Sequence, residues 1–206
     1  MKKIAFIRHG RKDGENIAAD QLTEIEKNGI AGLNELLQPG QEIVICLGSE
    51  LDRTAQTILA FESYMKKMGS IPAQILAADV RFGNANLFSQ MVTNAELMAE
   101  VKTNGWYHAL LKITPDLLRE IQQAQYAALS AIFDAVPEGD QVIIVGHTPM
   151  IEILAIYADD QNPYNGNKII PTNIALKELQ GIMFVQDLDP IANDSIKTWT
   201  AGFIGC

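Results

Sequence analysis

A chain of 206 residues suits one domain with a substantial core. Its 48% hydrophobic and 20% charged residues exclude intrinsic disorder, and apolar runs such as Ile43 to Leu47 and Val142 to Val145 are too short to cross a bilayer. The formal net charge of -9 argues against nucleic acid or an anionic membrane as partner, since both would be repelled. An anionic small molecule stays admissible where positive side chains are gathered locally.

The opening residues MKKIAFIRHG resemble a secretory leader only superficially. Their apolar run stops at Arg8 and His9, so a cytoplasmic location is expected. Lys3 to Arg8 reads as a buried strand. Leu22, Ile25, Ile30, Leu33, Leu36 and Leu37 then make a helical stripe that Pro39-Gly40 closes. Glu42 to Leu47 reads as a strand, Asp52 to Met68 as a helix ended by Gly69, and Gln74 to Ala78 as another strand. Phe82 to Ile113, with Gly83, Gly105 and scattered asparagines, is less regular. It is expected to form a lid or insertion over the strand ends inside a single domain spanning 1–206.

Thr114-Pro115-Asp116 opens the longest helix, Leu117 to Val136, which Pro137-Glu138-Gly139 closes. Gln141 to Val145 reads as a strand. Ile174 to Leu179 and Ile182 to Leu188 flank Gln180-Gly181 as a hairpin would. Strands alternating with helices predict an α/β fold with a mostly parallel sheet covered on both faces, and the hairpin makes that sheet mixed. Cys46 reads as a core residue and Cys206 is the last residue, with no spacing for zinc or a disulfide framework.

The rare residues fall at one kind of place. Of the three histidines, His9 and His147 each follow a strand-like run directly, and a third such run leads through Gly48-Ser49 to Arg53 in the first turn of a helix. The carboxyl ends of parallel strands form the ligand crevice of α/β sheets, so these segments aim their side chains at one edge. Thr148 is expected as an N-cap with Pro149 at the first helical position, which would turn backbone N–H groups toward an anion. Arg8 and Arg53 add planar donors that suit phosphate oxygens. A phosphoryl group needs neutralised charge and a placed nucleophile, and a histidine ring nitrogen can be that nucleophile. No carboxylate cluster has metal-ligand spacing, so a site without metal or cofactor is expected.

With these residues in order, the chain resembles the histidine phosphatase superfamily, in particular its phosphoglycerate mutase-like branch. Arg8-His9-Gly10 stands where that family has its nucleophile motif, Ser49 to Thr57 looks like its second arginine motif, and Gly146-His147 resembles its second histidine. The resemblance implies a three-layer α/β/α sandwich and a metal-independent phosphoric monoester hydrolase. It also implies that His9 accepts the phosphoryl group while Arg8, Arg53 and His147 clamp its oxygens. Asp79 in Asp79-Val80-Arg81-Phe82-Gly83 takes the place of that branch's glutamate acid, with Glu96 and Glu100 as reserves.

Arg11-Lys12 and Glu15 depart from the mutase pattern, which disfavours a sugar-phosphate mutase. Arg11, Arg81 and Thr148 are further candidate substrate contacts. The expected partner is a phosphorylated small molecule or a phosphoprotein; the alternatives are a phosphohistidine protein phosphatase and a non-catalytic phosphate-binding module. The sequence leaves the oligomeric state open. His108, Trp106 and Tyr107 read as lid or packing residues.

Overall fold

The computed structural model describes residues 2–34, 36–37, 42–76, 78–137, 141–160, 171–187 and 198–204. The chain begins with strand β1 (Lys2–Arg8) and a small ribbon of β2 (Lys12–Asp13) and β3 (Asn16–Ile17). Helices α1 (Ala19–Asn28) and α2 (Ala31–Asn34), strand β4 (Glu42–Leu47), helix α3 (Asp52–Lys67) and strand β5 (Ile71–Leu76) follow. Three more helices come next: α4 (Ala85–Thr93), α5 (Ala95–Ile113) and α6 (Pro115–Ala135). Strand β6 (Gln141–Gly146), helix α7 (Met150–Asp160) and strands β7 (Gly181–Asp187) and β8 (Thr198–Ile204) complete the described elements.

The main sheet runs β5-β4-β6-β1-β7-β8. Its first four strands are parallel, while β7 is antiparallel to β1 and β8 antiparallel to β7. Period-two alternation decides which helices cover which face. Ile4 and Phe6 of β1, with Val142 and Ile144 of β6, pack against α6 and α7 through Leu129, Phe133, Ile151 and Leu154. The intervening Ala5, Ile7, Ile143 and Val145 pack on the other face against Ile25, Leu33, Ile58 and Phe61 of α1, α2 and α3. Both faces are therefore apolar along the same strands, the signature of a sheet buried between two helical layers. This is the three-layer α/β/α sandwich with a mostly parallel, mixed sheet. No helix among the described residues is long and apolar enough to cross a membrane.

Four local expectations change. The stripe from Leu22 is two helices, because the chain turns at Gly29 with φ 72°; Pro39-Gly40 lies outside the described residues. The strand expected over Gln74 to Ala78 sits earlier, at Ile71–Leu76, with Ala78 in coil.

The segment Phe82 to Ile113 is mostly helical. Asn84 and Asn94, read as signs of irregularity, are N-caps whose side chains accept from Leu87 N and Leu97 N at 3.0 Å. Gly105 kinks α5 with φ 80°. The two helices α4 and α5 pack on α6 and α7 through Met91, Leu97, Leu110, Leu118 and Ile153.

The hairpin around Gln180-Gly181 is absent. Residues 174–179 form no strand; β7 pairs with β1 and with β8, and Leu188 lies outside the described residues. The backbone of 174–179 bonds elsewhere: Leu176 N donates to Glu152 Oε1 (3.1 Å), Leu176 O accepts from Arg8 Nη1 (2.5 Å), and Leu179 N donates to Arg8 O (3.1 Å). Gly181 is there for close approach, since a Cβ would lie 2.2 Å from Phe6 O.

Candidate active site

Strand β1 ends at Arg8, and His9 is the first residue beyond it, tied to the neighbouring strand by its N–H to Gly146 O at 2.9 Å. His9 is 5% exposed. Its Nδ1 lies 2.6 Å from Gly10 O, a carbonyl that can only accept, so Nδ1 carries the proton and Nε2 keeps its lone pair. That lone pair accepts from Arg53 Nε at 2.9 Å. Thr57, one turn beyond Arg53 on α3, accepts from Gly10 N (3.1 Å) and donates to Arg53 O (2.8 Å), so one hydroxyl ties the loop after His9 to the helix that carries Arg53.

Burial lowers the pKa of His9 from 6.5 to about 4, aided by the charges of Arg53 and Arg8 and opposed by the Gly10 bond and Glu178. At neutral pH the ring is therefore neutral and nucleophilic at Nε2. His147, 2% exposed at the end of β6, is lowered to about 4 as well, by burial first and then by Arg53, His9 and Arg8. The bond from Arg53 to His9, and the charges of Arg8 and Arg53 acting on both rings, bring Arg8, His9, Arg53 and His147 into one cluster.

Arg8 is held from behind. Its Nη1 donates to Leu176 O and its Nη2 lies 3.3 Å from Glu178 Oε1. Arg8 Nε and both ring nitrogens of His147 are buried without a hydrogen-bond partner among the described residues. Buried polar atoms are almost always satisfied in folded proteins, so this concentration beside two cations marks a place built for a polar ligand. An oxyanion fits it in charge and in hydrogen-bond sense.

Asp79 lies in the loop after β5, which runs on to Gly83. A Cβ on Gly83 would stand 2.5 Å from Gly48 O and 2.9 Å from His147 Cε1, so this loop passes directly against the second histidine. The carboxylate itself is engaged by Arg81: Nε donates to Oδ1 (2.9 Å) and Oδ2 (3.1 Å), Nη2 to Oδ2 (2.5 Å), and the Arg81 N–H to Oδ1 (3.0 Å). The Arg81 hydrogen bonds hold its pKa below the ordinary aspartate value despite partial burial. In this state Asp79 is an ionised carboxylate.

Arg11, Glu100 and His108 take partners outside the cluster. Arg11 is exposed and pairs with Asp20 on α1. Thr148 does not cap α7: the helix starts at Met150 beyond a cis Thr148–Pro149 bond, and Pro149 O accepts the first helical N–H, from Ile153 at 3.0 Å. Pro149 therefore precedes the helix instead of occupying its first position. Glu100 is committed to Lys112 (2.9 Å) and Asn104 (2.5 Å), and its pKa is lowered chiefly by the Lys112 bond. Glu96 sits in the first turn of α5. His108 is exposed and bonds Thr172 Oγ1 at 2.9 Å.

Three contributors escaped the sequence reading. Phe88 on α4 stands edge-on to His147 with centroids 5.2 Å apart, and Trp106 packs behind it at 6.2 Å. Glu15 is a negative charge acting on Arg53. Glu152 is 3% exposed within the apolar run MIEILAIYA that opens α7, and a carboxylate inside such a run was the available signal.

The chain shares its fold with a mycobacterial glucosyl-3-phosphoglycerate phosphatase solved with VO3. That likeness has a TM-score of 0.58 at 12% identity and covers 100% of this chain and 99% of the other. The product of the open reading frame Rv3214 of Mycobacterium tuberculosis is similar at a TM-score of 0.51 and 12% identity, over 99% and 97% of the two chains. No protein-family model and no curated protein matches the chain. At this identity the likeness is one of fold, and the fold is the sandwich that the resemblance to histidine phosphatases implies.

Proposed function

We propose that this chain is a metal-independent phosphomonoesterase that works through a phosphohistidine on His9. The observation that carries this reading is the buried cluster itself: a neutral His9 with its Nε2 lone pair on the ligand side, beside two arginines and a second histidine with unmet hydrogen-bonding capacity. That a protein of the same fold is named as a phosphatase and was solved with VO3 supports it.

The ester's phosphoryl group enters between Arg8, Arg53 and His147, and Arg53 Nε turns from His9 Nε2 to a phosphoryl oxygen. His9 Nε2 attacks phosphorus in line; the P–N bond forms as the bond to the leaving oxygen breaks. Asp79 is the proposed donor of the proton that the leaving oxygen takes. Because Arg81 holds Asp79 ionised, the negative charge of the bound ester has to raise its proton affinity first. Water then attacks phosphorus and gives a proton to the Asp79 carboxylate as the P–N bond breaks; phosphate leaves and His9 Nε2 recovers its lone pair.

Phe88 of α4 stands against His147 with Trp106 of α5 behind it, which favours a small ester over a phosphoprotein. The test is turnover of a panel of phosphate esters with chelator present, by wild type and His9→Ala. Chelator-resistant turnover that folded H9A lacks supports the reading; equal turnover by folded H9A refutes it. Binding of phosphate without any turnover leaves the binding-module alternative.

A further inference from the structure

Arg81 fills the acceptor positions of the Asp79 carboxylate. Its Nε donates to Oδ1 (2.9 Å) and Oδ2 (3.1 Å), its Nη2 to Oδ2 (2.5 Å), and its backbone N–H to Oδ1 (3.0 Å). Two carboxylate oxygens offer about four lone-pair directions, and these four contacts take them up. A proton arriving on either oxygen therefore has to displace an Arg81 donor. Two further carboxyls are turned elsewhere: Glu100 to Lys112 and Asn104, and Glu152 to Leu176 N.

This arrangement bears on the first half of the proposed reaction. As the bond from His9 Nε2 to phosphorus forms, the P–O bond breaks and the leaving oxygen keeps the bonding pair. With Asp79 held as a carboxylate, its proton reaches that oxygen late, after most of a negative charge has built up there. A phenolic oxygen spreads such a charge into its ring. An alkyl oxygen has nowhere to put it.

The space beside the pair suits a ring. On its far side Arg81 borders a cavity of about 350 Å³, whose wall is mostly apolar: Val80, Leu87, Leu117, Ile121, Ala124 and Met150. An apolar cavity of about 150 Å³ is enough to take up benzene. The cavity adjoins the phosphate cluster, because Met150 donates its N–H to His147 O at 3.0 Å and Leu87 precedes Phe88, whose ring meets His147.

We infer that Arg81 is a positioning residue that keeps Asp79 a carboxylate, and that the chain's substrates are aryl phosphates, small phosphate monoesters of phenolic hydroxyls, in preference to alkyl phosphates. The inference rests on the phosphomonoesterase reading and deepens it.

The test reads kcat/KM, which reports the step that releases the leaving group and is blind to hydrolysis of the phosphohistidine. The esters are phenyl phosphate, fluorinated derivatives up to pentafluorophenyl phosphate, and cyclohexyl phosphate, an alkyl ester of matched size. The proteins are wild type, Arg81→Gln, Arg81→Lys and the double variant Asp79→Asn with Arg81→Gln, with circular dichroism to check each fold. The Arg81 side chain is 44% exposed, so its replacement does not breach the core.

In wild type kcat/KM is expected to fall steeply as the leaving group becomes more basic, with phenyl over cyclohexyl phosphate by on the order of a hundredfold. R81Q is expected to cut that preference about tenfold by gaining on the alkyl ester, as removal of one arginine from a carboxylate provides. R81K keeps part of the preference, and the double variant regains it, because the gain passes through Asp79. A shallow dependence in wild type, the same preference in R81Q, or a gain that persists in the double variant overturns the inference and leaves the phosphomonoesterase reading standing. No turnover of any ester by folded wild type overturns that reading, and the inference with it.

Discussion

Arg53 Nε donates to His9 Nε2 across 2.9 Å, so the atom proposed to attack phosphorus is bonded to the side chain proposed to bind the phosphoryl oxygens. The same contact fixes the tautomer, because a ring that accepts at Nε2 donates from Nδ1 to Gly10 O. In the proposed reaction Arg53 covers the attacking atom until a phosphoryl group enters, and it is then already within reach of that group.

Arg53→Lys tests this pairing, since it keeps the charge and loses both the Nε donor and the planar fork. kcat/KM on p-nitrophenyl phosphate is expected to fall about 10²- to 10³-fold, the usual cost of one transition-state donor, with the fold intact. Activity within threefold of wild type would remove Arg53 from the clamp.

Glu152 acts through Leu176. Its Oε1 accepts from Leu176 N, and Leu176 O accepts from Arg8 Nη1, so the buried carboxyl anchors the peptide that positions Arg8. Burial raises its pKa, so a neutral acceptor suits the site. Glu152→Gln is expected to stay close to wild type. Glu152→Ala leaves the Leu176 N–H unmet and is expected to lose about 1–3 kcal/mol in urea unfolding and to weaken phosphate binding. Equal phosphate affinity in the two variants would argue against the link to Arg8.

Gly83 leaves no room for a side chain between Gly48 O and His147 Cε1. Gly83→Ala has to shift backbone or histidine, with an expected stability loss of about 1–3 kcal/mol and a loss of activity beyond it. Thermal unfolding and steady-state kinetics read the two effects separately. An alanine variant with wild-type behaviour in both would place this loop elsewhere.

The two site histidines make stability depend on pH with a definite sign. In the unfolded chain they bind protons near 6.5, and in the folded chain only near 4. Between those values the unfolded state binds more protons, so their contribution is complete above about 6.5 and is lost as pH falls toward 4. Imidazole NMR is expected to find both rings neutral at pH 6, with bound phosphate raising the midpoint of His147. An ordinary midpoint near 6.5 in the free protein would contradict their burial among cations.

Much of this protein was legible along the chain. Residues such as Lys3 to Arg8, Asp52 to Met68 and Gln141 to Val145 announce their own periodicity, and the strand ends that carry Arg8, His9 and His147 follow from it. What the sequence determined by itself was therefore the alternation of strands and helices, the buried faces, and the shared edge to which Arg8, His9, Arg53 and His147 come. These rest on local spacing and on the rule that parallel strands present their carboxyl ends together.

Only the tertiary structure decided the rest. Residues 174–179 have strand-like composition, yet Glu152 and Arg8 take their backbone bonds, and β7 finds β1 instead. Asn84 and Asn94 look like loop residues until the helices they cap pack on α6 and α7. Phe88 against His147, Glu152 beneath Leu176 and Arg81 between Asp79 and a cavity join residues whose meeting depends on how the layers stack. Each is a competition for a hydrogen bond or for space between segments distant in sequence, and spacing along one segment carries no information about which competitor wins.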